Sequence, residues 1–455
     1  MTKPNILLLT IDTLRADTLG YAGYHKPITP NIDKLAAQGI RFMQAITPGS
    51  WTQAAFPGII TSTYACMYGG CLGKLSSERP SPVKVLGDEG GYETAAFSTS
   101  PLLSRTYGYD RKFQRFTDLN PGEKNPWLRG VKGGQFMLRQ PLVHQFVRLL
   151  GQNWRPPKLY ATAAELNDAA MPWLANINQP FMAWLHYMDV HWPYHREETL
   201  TQPKDIAEAW ADLSHLHEVN WYGAPVSPAQ KARYVRLYEE AIAYTDAQIG
   251  RLMAFLEESG LAENTVVVLV SDHGEEFMER RHWGHVELNL YDEILKVPLI
   301  MRLPGVPGNQ VIGQQVSTMD IMPTLLELAG CRIPDEVLGT SLVPLWTGRP
   351  EDYDVEVVIG ERWRDTSHMI AVRTETYKYI WDDAKPDQPL LFDLRRDPGE
   401  RHNIAAEHPD VVQQLHQHVT AQQERMHRTA PAEKTQEPVL DEEIVARLRG
   451  LGYVE

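Results

Sequence analysis

The sequence predicts an α/β protein: one large, mostly parallel sheet with helices on both faces, followed by a small antiparallel α+β subdomain at the C-terminal side. Three observations predict it. Short, nearly all-apolar runs recur through the first two-thirds of the 455 residues, as expected of strands buried on both faces. Helical segments alternate with them, the pattern of a sheet covered on two sides. Beyond Trp346-Thr347-Gly348-Arg349-Pro350 the alternation stops, and short strands follow one another with few residues between, which suggests an antiparallel sheet.

The runs at 5–11, 41–46, 92–98, 181–187, 265–271 and 297–302 are the expected strands of the large sheet. The clearest helix covers about 227–258. There Tyr238, Ile242, Thr245, Ile249, Leu252 and Leu256 recur every three to four residues, and Gly260 marks the stop. Segments 108–157 and 195–228 look like excursions from this core. In the second part, strands are expected at 355–360, 368–373, 377–381 and 390–394, then a helix at 409–425 and a short amphipathic one at 444–451. The expected division is 1–345 and 346–455.

Composition narrows the partners. A net charge of −14 argues against a nucleic-acid or anionic-membrane surface, both of which need clustered Lys and Arg. The opening run Asn5–Ile11 is too short to span a bilayer, and Asp12 ends it with no small-residue cleavage site. Cys66, Cys71 and Cys331 have neither the number nor the spacing of a disulfide framework or a zinc knuckle. These features point to a cytoplasmic chain without a membrane partner; oligomeric state is not legible.

Three places carry chemistry-bearing groups at the end of an expected strand or the start of a helix, where open α/β sheets bind ligands. Asp12 closes the first strand; a carboxylate there can also simply cap the turn. Ser271-Asp272-His273-Gly274-Glu275 follows the run at 265–270, and an adjacent Asp and His can aim at one cation. Thr52, in Trp51-Thr52-Gln53-Ala54-Ala55-Phe56-Pro57-Gly58, is either a helix cap or a metal-bound nucleophile favoured by the helix start.

These blocks resemble, in order and over nearly the whole chain, those of the sulfatase family of the alkaline phosphatase superfamily. The resemblance also rests on Ile28-Thr29-Pro30-Asn31, on His186-Tyr187-Met188-Asp189-Val190-His191-Trp192-Pro193-Tyr194, on Thr318-Met319-Asp320 and on Leu391-Phe392-Asp393-Leu394. It implies an alkaline phosphatase-like fold with the catalytic site in residues 1–345. The departures are informative. Sulfatases carry Cys-x-Pro-x-Arg, whose Cys becomes formylglycine; here Thr52 stands at the Cys position and Phe56 at the Arg position. Thr13 replaces a second calcium-binding Asp, His273 stands where Asn is frequent, and Ser98-Thr99-Ser100-Pro101 lacks the family's Lys and His.

With these changes the site looks like that of phosphoethanolamine transferases and phosphonate monoester hydrolases. The resemblance implies one divalent ion held by Asp12, Thr52, Asp272 and His273, without formylglycine; mixed oxygen and nitrogen donors favour Zn²⁺ or Mn²⁺ over Ca²⁺. It places His191 and His285 around the substrate anion, as binding and catalytic residues. His195, Arg281 and His282 are further candidates nearby in sequence, and Asp189 could orient His191. The expectation is a hydrolase, phosphodiesterases included, that cleaves phosphate or phosphonate esters of a small anionic substrate through Thr52. Alternatives are a sulfuric ester hydrolase, a phospho-group transferase and a non-catalytic anion-binding protein.

Overall fold

The computed structural model describes residues 3–453 apart from 71–72, 120–155, 157, 178–179, 196–198, 286–288, 365–366, 431–437, 439, 441 and 452. Its large sheet has eight strands: β1 (Asn5–Ile11), β2 (Ile40–Ile46), β3 (Glu93–Ser98), β4 (Arg115–Asp118), β5 (Phe181–Tyr187), β6 (Thr265–Ser271), and two later strands. A two-stranded ribbon, β7 (Glu276–Phe277) with β8 (Trp283–Gly284), intervenes before β9 (Lys296–Arg302) and β10 (Gln310–Ser317). The order is β10-β2-β9-β6-β1-β5-β3-β4. All neighbours run parallel except at β9, which is antiparallel to both β6 and β2.

The central strand β1 shows how the sequence makes two cores. Its side chains alternate between faces, so Ile6 and Leu8 join one apolar cluster while Leu7, Leu9 and Ile11 join the other. The first cluster packs under the helices Thr52–Thr61 and Ile321–Leu328, the second under Pro30–Gln38, Ala163–Asn176 and Pro228–Glu258. Burying one large aliphatic side chain contributes about 1.5–3 kcal/mol, so these clusters dominate the fold. The long helix begins where expected: Ser227 accepts from the Gln230 N–H, Pro228 sits in the first turn, and Gly260 adopts a left-handed φ of 72° beyond its end.

The second sheet is antiparallel, β11 (Val358–Arg364), β12 (Ser367–Arg373), β13 (Tyr377–Asp382) and β14 (Leu390–Asp393). The helix Pro409–Arg428 lays Leu415 and Val419 on it. A buried ion cluster ties this sheet to the large one. Lys378 reaches Asp292 at 2.8 Å and Glu400 at 2.9 Å, and Arg373 pairs with Asp292 at 2.9 Å. The two cations hold the Asp292 carboxyl well below its usual range despite its burial.

The expected excursions are partly elements of the fold. Residues 115–118 add β4 to one edge of the sheet, and the second excursion contains the helix Pro203–Tyr222. Most of 108–157 lies outside the described residues. The last helix, Glu442–Gly450, returns to the large unit, where Leu448 is buried in the first cluster.

Candidate active site and metal centre

Strand register brings the candidate residues together. Ile11 pairs with Ser271 in parallel, so the next residues, Asp12 and Asp272, leave the sheet side by side. On the other side Ile11 pairs with Tyr187, whose carbonyl accepts from the Asp12 N–H at 2.9 Å. This is the C-terminal edge of parallel strands, as anticipated.

Asp12, Asp272 and His273 are fully buried, and one donor atom from each lies within 4.8 Å of the others. The local bonding leaves one atom of each unused. Asp272 Oδ1 accepts from the backbone N–H groups of Thr13 (3.2 Å) and His273 (2.9 Å), while Oδ2 has no partner. His273 Nδ1 faces the Gly274 carbonyl at 2.9 Å, so the hydrogen sits there and Nε2 is bare. Asp12 Oδ1 is also unpartnered. Orphaned buried polar atoms are costly, and three of them converging from two carboxylates and an imidazole fit a divalent cation. Burial, reinforced by Glu275, pushes the Asp12 carboxyl well up; burial and Asp12 push Asp272 to about 6; burial lowers His273 to about 4. A cation at this point removes that penalty.

Thr13, beside Asp12, has a φ of 56°, a strained setting for a β-branched residue. Tyr238 of the long helix clamps it, donating to the Thr13 carbonyl at 2.8 Å and accepting from the Arg15 N–H at 2.9 Å.

Thr52 begins its helix, but it is not the cap. Trp51 holds that position without a side-chain cap bond. The Thr52 hydroxyl instead faces Asp12 Oδ2 at 3.5 Å and the Tyr453 hydroxyl at 3.3 Å. Phe56 is buried in an aromatic cluster, its ring 5.4 Å from Trp184 and 5.1 Å from His186.

His191 and His285 are brought together, ring centroids 4.9 Å apart, with His285 4.4 Å from His273. His191 Nδ1 bonds the Trp192 carbonyl at 2.5 Å, and Nε2 meets the Tyr453 hydroxyl at 2.9 Å. His285 Nδ1 bonds Glu275 at 2.9 Å. Burial keeps both rings neutral, His191 well below its ordinary value and His285 at about 3. His195 instead pairs with Asp212 at 2.9 Å, and Arg281 and His282 are exposed.

Three residues that sequence reasoning did not single out stand at this site. His186, on β5, points its unpartnered Nε2 at Asp12 from 3.4 Å. Glu275 supports His285 and is itself raised to about 8 by burial. Tyr453 comes from a distant segment. His186 and Glu275 lie inside motif blocks and could have been found there; no local pattern marks Tyr453.

Residues 4–331 match the model of the family described as Sulfatase. The chain belongs to the sulfatase family. Residues 282–425 also match the family described as N-sulphoglucosamine sulphohydrolase, C-terminal. Among curated relatives of this chain, arylsulfatase K of Gallus gallus is 27% identical, covering 91% of this chain and 81% of its own length. Arylsulfatase K of Homo sapiens is 25% identical, with the same two coverages. The solved structure of BT4656 with its substrate D-glucosamine-2-N,6-O-disulfate superposes with a TM-score of 0.72 at 20% identity, covering 95% of this chain and 100% of that one. The phosphonate monoester hydrolase of Agrobacterium radiobacter superposes at 0.69 with 22% identity, covering 93% and 96%. At such identities the structural likenesses speak for the fold alone.

Two expectations are corrected. The arylsulfatase K matches turn the reading away from phosphate and phosphonate esters toward the sulfuric ester alternative. The error came from letting the missing formylglycine Cys decide the reaction centre. The same matches overturn the cytoplasmic placement: a short apolar run and three cysteines exclude some devices but assign no compartment. Among the described residues no helix is long and apolar enough to cross a membrane.

Proposed function

We propose that this sulfatase-family chain hydrolyses sulfuric esters of a small anionic substrate, using Thr52 as nucleophile in place of formylglycine. The observation that carries the sulfur assignment is the similarity to arylsulfatase K over 91% of the chain. Asp12, Asp272 and His273, with Thr52 beside them, would hold one divalent ion, and the mixed donor set favours Zn²⁺ or Mn²⁺. When bound, such an ion supplies positive charge where the attacking and non-bridging oxygens gather negative charge.

The chain's own residues do the rest. Thr52 Oγ attacks sulfur in line as the ester oxygen departs, and water then displaces Thr52 Oγ to release sulfate. His285 faces the sulfuryl oxygens and the water that protonates the departing oxygen, while His191, whose Nε2 carries no hydrogen, serves as a proton acceptor. Glu275 keeps the His285 ring oriented through its 2.9 Å bond. These residues lie in a unit of residues 1–345, with 346–455 as its C-terminal subdomain.

Purified protein loaded in turn with Mn²⁺, Zn²⁺ and Ca²⁺ is assayed on nitrophenyl sulfate and on sulfated sugars. Release of inorganic sulfate that depends on Asp272 supports the reading. Absence of sulfate release under every cation, with a phosphate or phosphonate ester turned over instead, overturns it.

A further inference from the structure

The residue that meets both Thr52 and His191 comes from a part of the chain with no sequence signature. Residues 447–451 and Tyr453 are firmly seated. The Arg447 side chain donates to the Leu159 carbonyl at 3.0 Å and to the Thr99 carbonyl at 3.4 Å. Leu448 and Leu451 are each 1% exposed. The backbone N–H of Tyr453 closes on the Leu448 carbonyl at 2.9 Å. The Tyr453 ring is thereby held beside Trp51 (6.4 Å) and His191 (5.5 Å).

The direction of the hydrogen bonds follows from the partners. The Trp192 carbonyl can only accept, so the neutral His191 carries its hydrogen on Nδ1 and presents a bare Nε2. The Tyr453 hydroxyl, 2.9 Å away, therefore donates to it. The phenol oxygen is left with lone pairs facing the Thr52 hydroxyl at 3.3 Å. When the single Thr52 hydrogen turns from Asp12 Oδ2, at 3.5 Å, to the nearer phenol oxygen, a continuous path runs Thr52 Oγ–H to Tyr453 O–H to His191 Nε2.

We propose that Tyr453 is a catalytic residue that positions the Thr52 hydroxyl and relays its proton to His191. The inference rests on the reading of Thr52 as nucleophile. As Thr52 Oγ bonds to sulfur, its proton passes to the Tyr453 oxygen while the phenolic proton passes to His191 Nε2. The ester oxygen departs with the electron pair of its bond to sulfur and takes a proton from water. The hydroxide left behind attacks sulfur, the bond to Thr52 Oγ breaks, and that oxygen recovers a proton by the reverse relay. The products are the alcohol and hydrogen sulfate, and every side chain ends as it began.

The test compares wild type, Tyr453→Phe and Thr52→Val, each as full chain loaded with Mn²⁺. Phenylalanine keeps the ring and removes only the hydroxyl. Cation affinity by isothermal titration and melting temperature report folding and the metal centre, while rapid-quench mass spectrometry follows sulfation of Thr52. For Tyr453→Phe we expect kcat and the rate of Thr52 sulfation to fall together by about 10²–10³-fold, with KM, cation affinity and melting temperature unchanged. Near-wild-type sulfation in Tyr453→Phe beside an inactive Thr52→Val overturns the relay and leaves the nucleophile standing. A lower KM with undiminished kcat in Tyr453→Phe also overturns it and makes the segment a plug over the site. Activity retained in Thr52→Val removes the parent reading, and the relay with it.

Discussion

Replacing Thr52 by valine separates chemistry from structure at a single atom. Valine matches threonine in shape, so the buried side chain leaves no cavity and only the hydroxyl is lost. That hydroxyl caps nothing, and its two contacts, at 3.3 and 3.5 Å, are longer than a good O–H···O bond near ~2.8 Å. The stability cost is therefore at most about 1 kcal/mol, a shift of about 2–4 °C or less in melting temperature. If Thr52 were merely structural, an energy of that size would change the folded-to-unfolded ratio by about fivefold and leave turnover of the still-folded protein nearly unchanged. As the nucleophile, its loss should lower kcat by on the order of 10⁴–10⁶. The assay is sulfate release from nitrophenyl sulfate, with melting followed by dye fluorescence on the same preparation. A folded Thr52→Val protein with turnover within about tenfold of wild type would refute the covalent mechanism.

Three other outcomes follow from the geometry. Mn²⁺ or Zn²⁺ should raise the melting temperature of the wild-type protein, by about 2.7 kcal/mol of added stability at a hundredfold excess over Kd; Asp272→Asn should abolish the rise, and a persisting rise would place the cation elsewhere. Glu275, raised by burial from 4.5 to about 8, keeps a proton in the folded chain that the unfolded chain releases. Its contribution is complete below about pH 4.5 and is lost as pH climbs through about 8. Melting of chelator-treated protein should thus fall across that window and flatten in Glu275→Gln; equal slopes would refute the assignment. Lys378→Met strips Glu400 of its cation and Asp292 of one of two. Urea unfolding should show a loss of about 3–5 kcal/mol, and a loss under about 1 kcal/mol would show that the cluster does not hold the sheets together.

The interior of the fold was legible and its margins were not. Strands β1, β5 and β6 are all-buried seven-residue runs, which composition alone reveals. The edge strands β10 and β4 were missed because Gln310–Ser317 mixes polar and apolar residues and Arg115–Asp118 is only four residues long. The reversed direction of β9 is set by its connections, which periodicity does not encode. At the site, Asp12, Asp272 and His273 could be found because each ends or follows an apolar run. Thr52 was singled out through its motif position, and the structure gives the cap position to Trp51 instead. Tyr453 lay beyond reach, since what brings it to Thr52 is the docking of Leu448 and Leu451, a tertiary event.

That docking bears on how the protein comes to life during synthesis. Asp12, Thr52, His191 and Asp272 all emerge from the ribosome well before Tyr453, and contacts spanning so much chain close late. A growing polypeptide can pair β1 with β6 and bring Asp12 beside Asp272 and His273 while the phenol is still unmade. On the proposed reading, such an intermediate would hold its cation and yet lack the Tyr453 contact to Thr52. Chemistry would then switch on as a late event in maturation, after the second sheet has formed and Leu448, Leu451 and Tyr453 have found their seats.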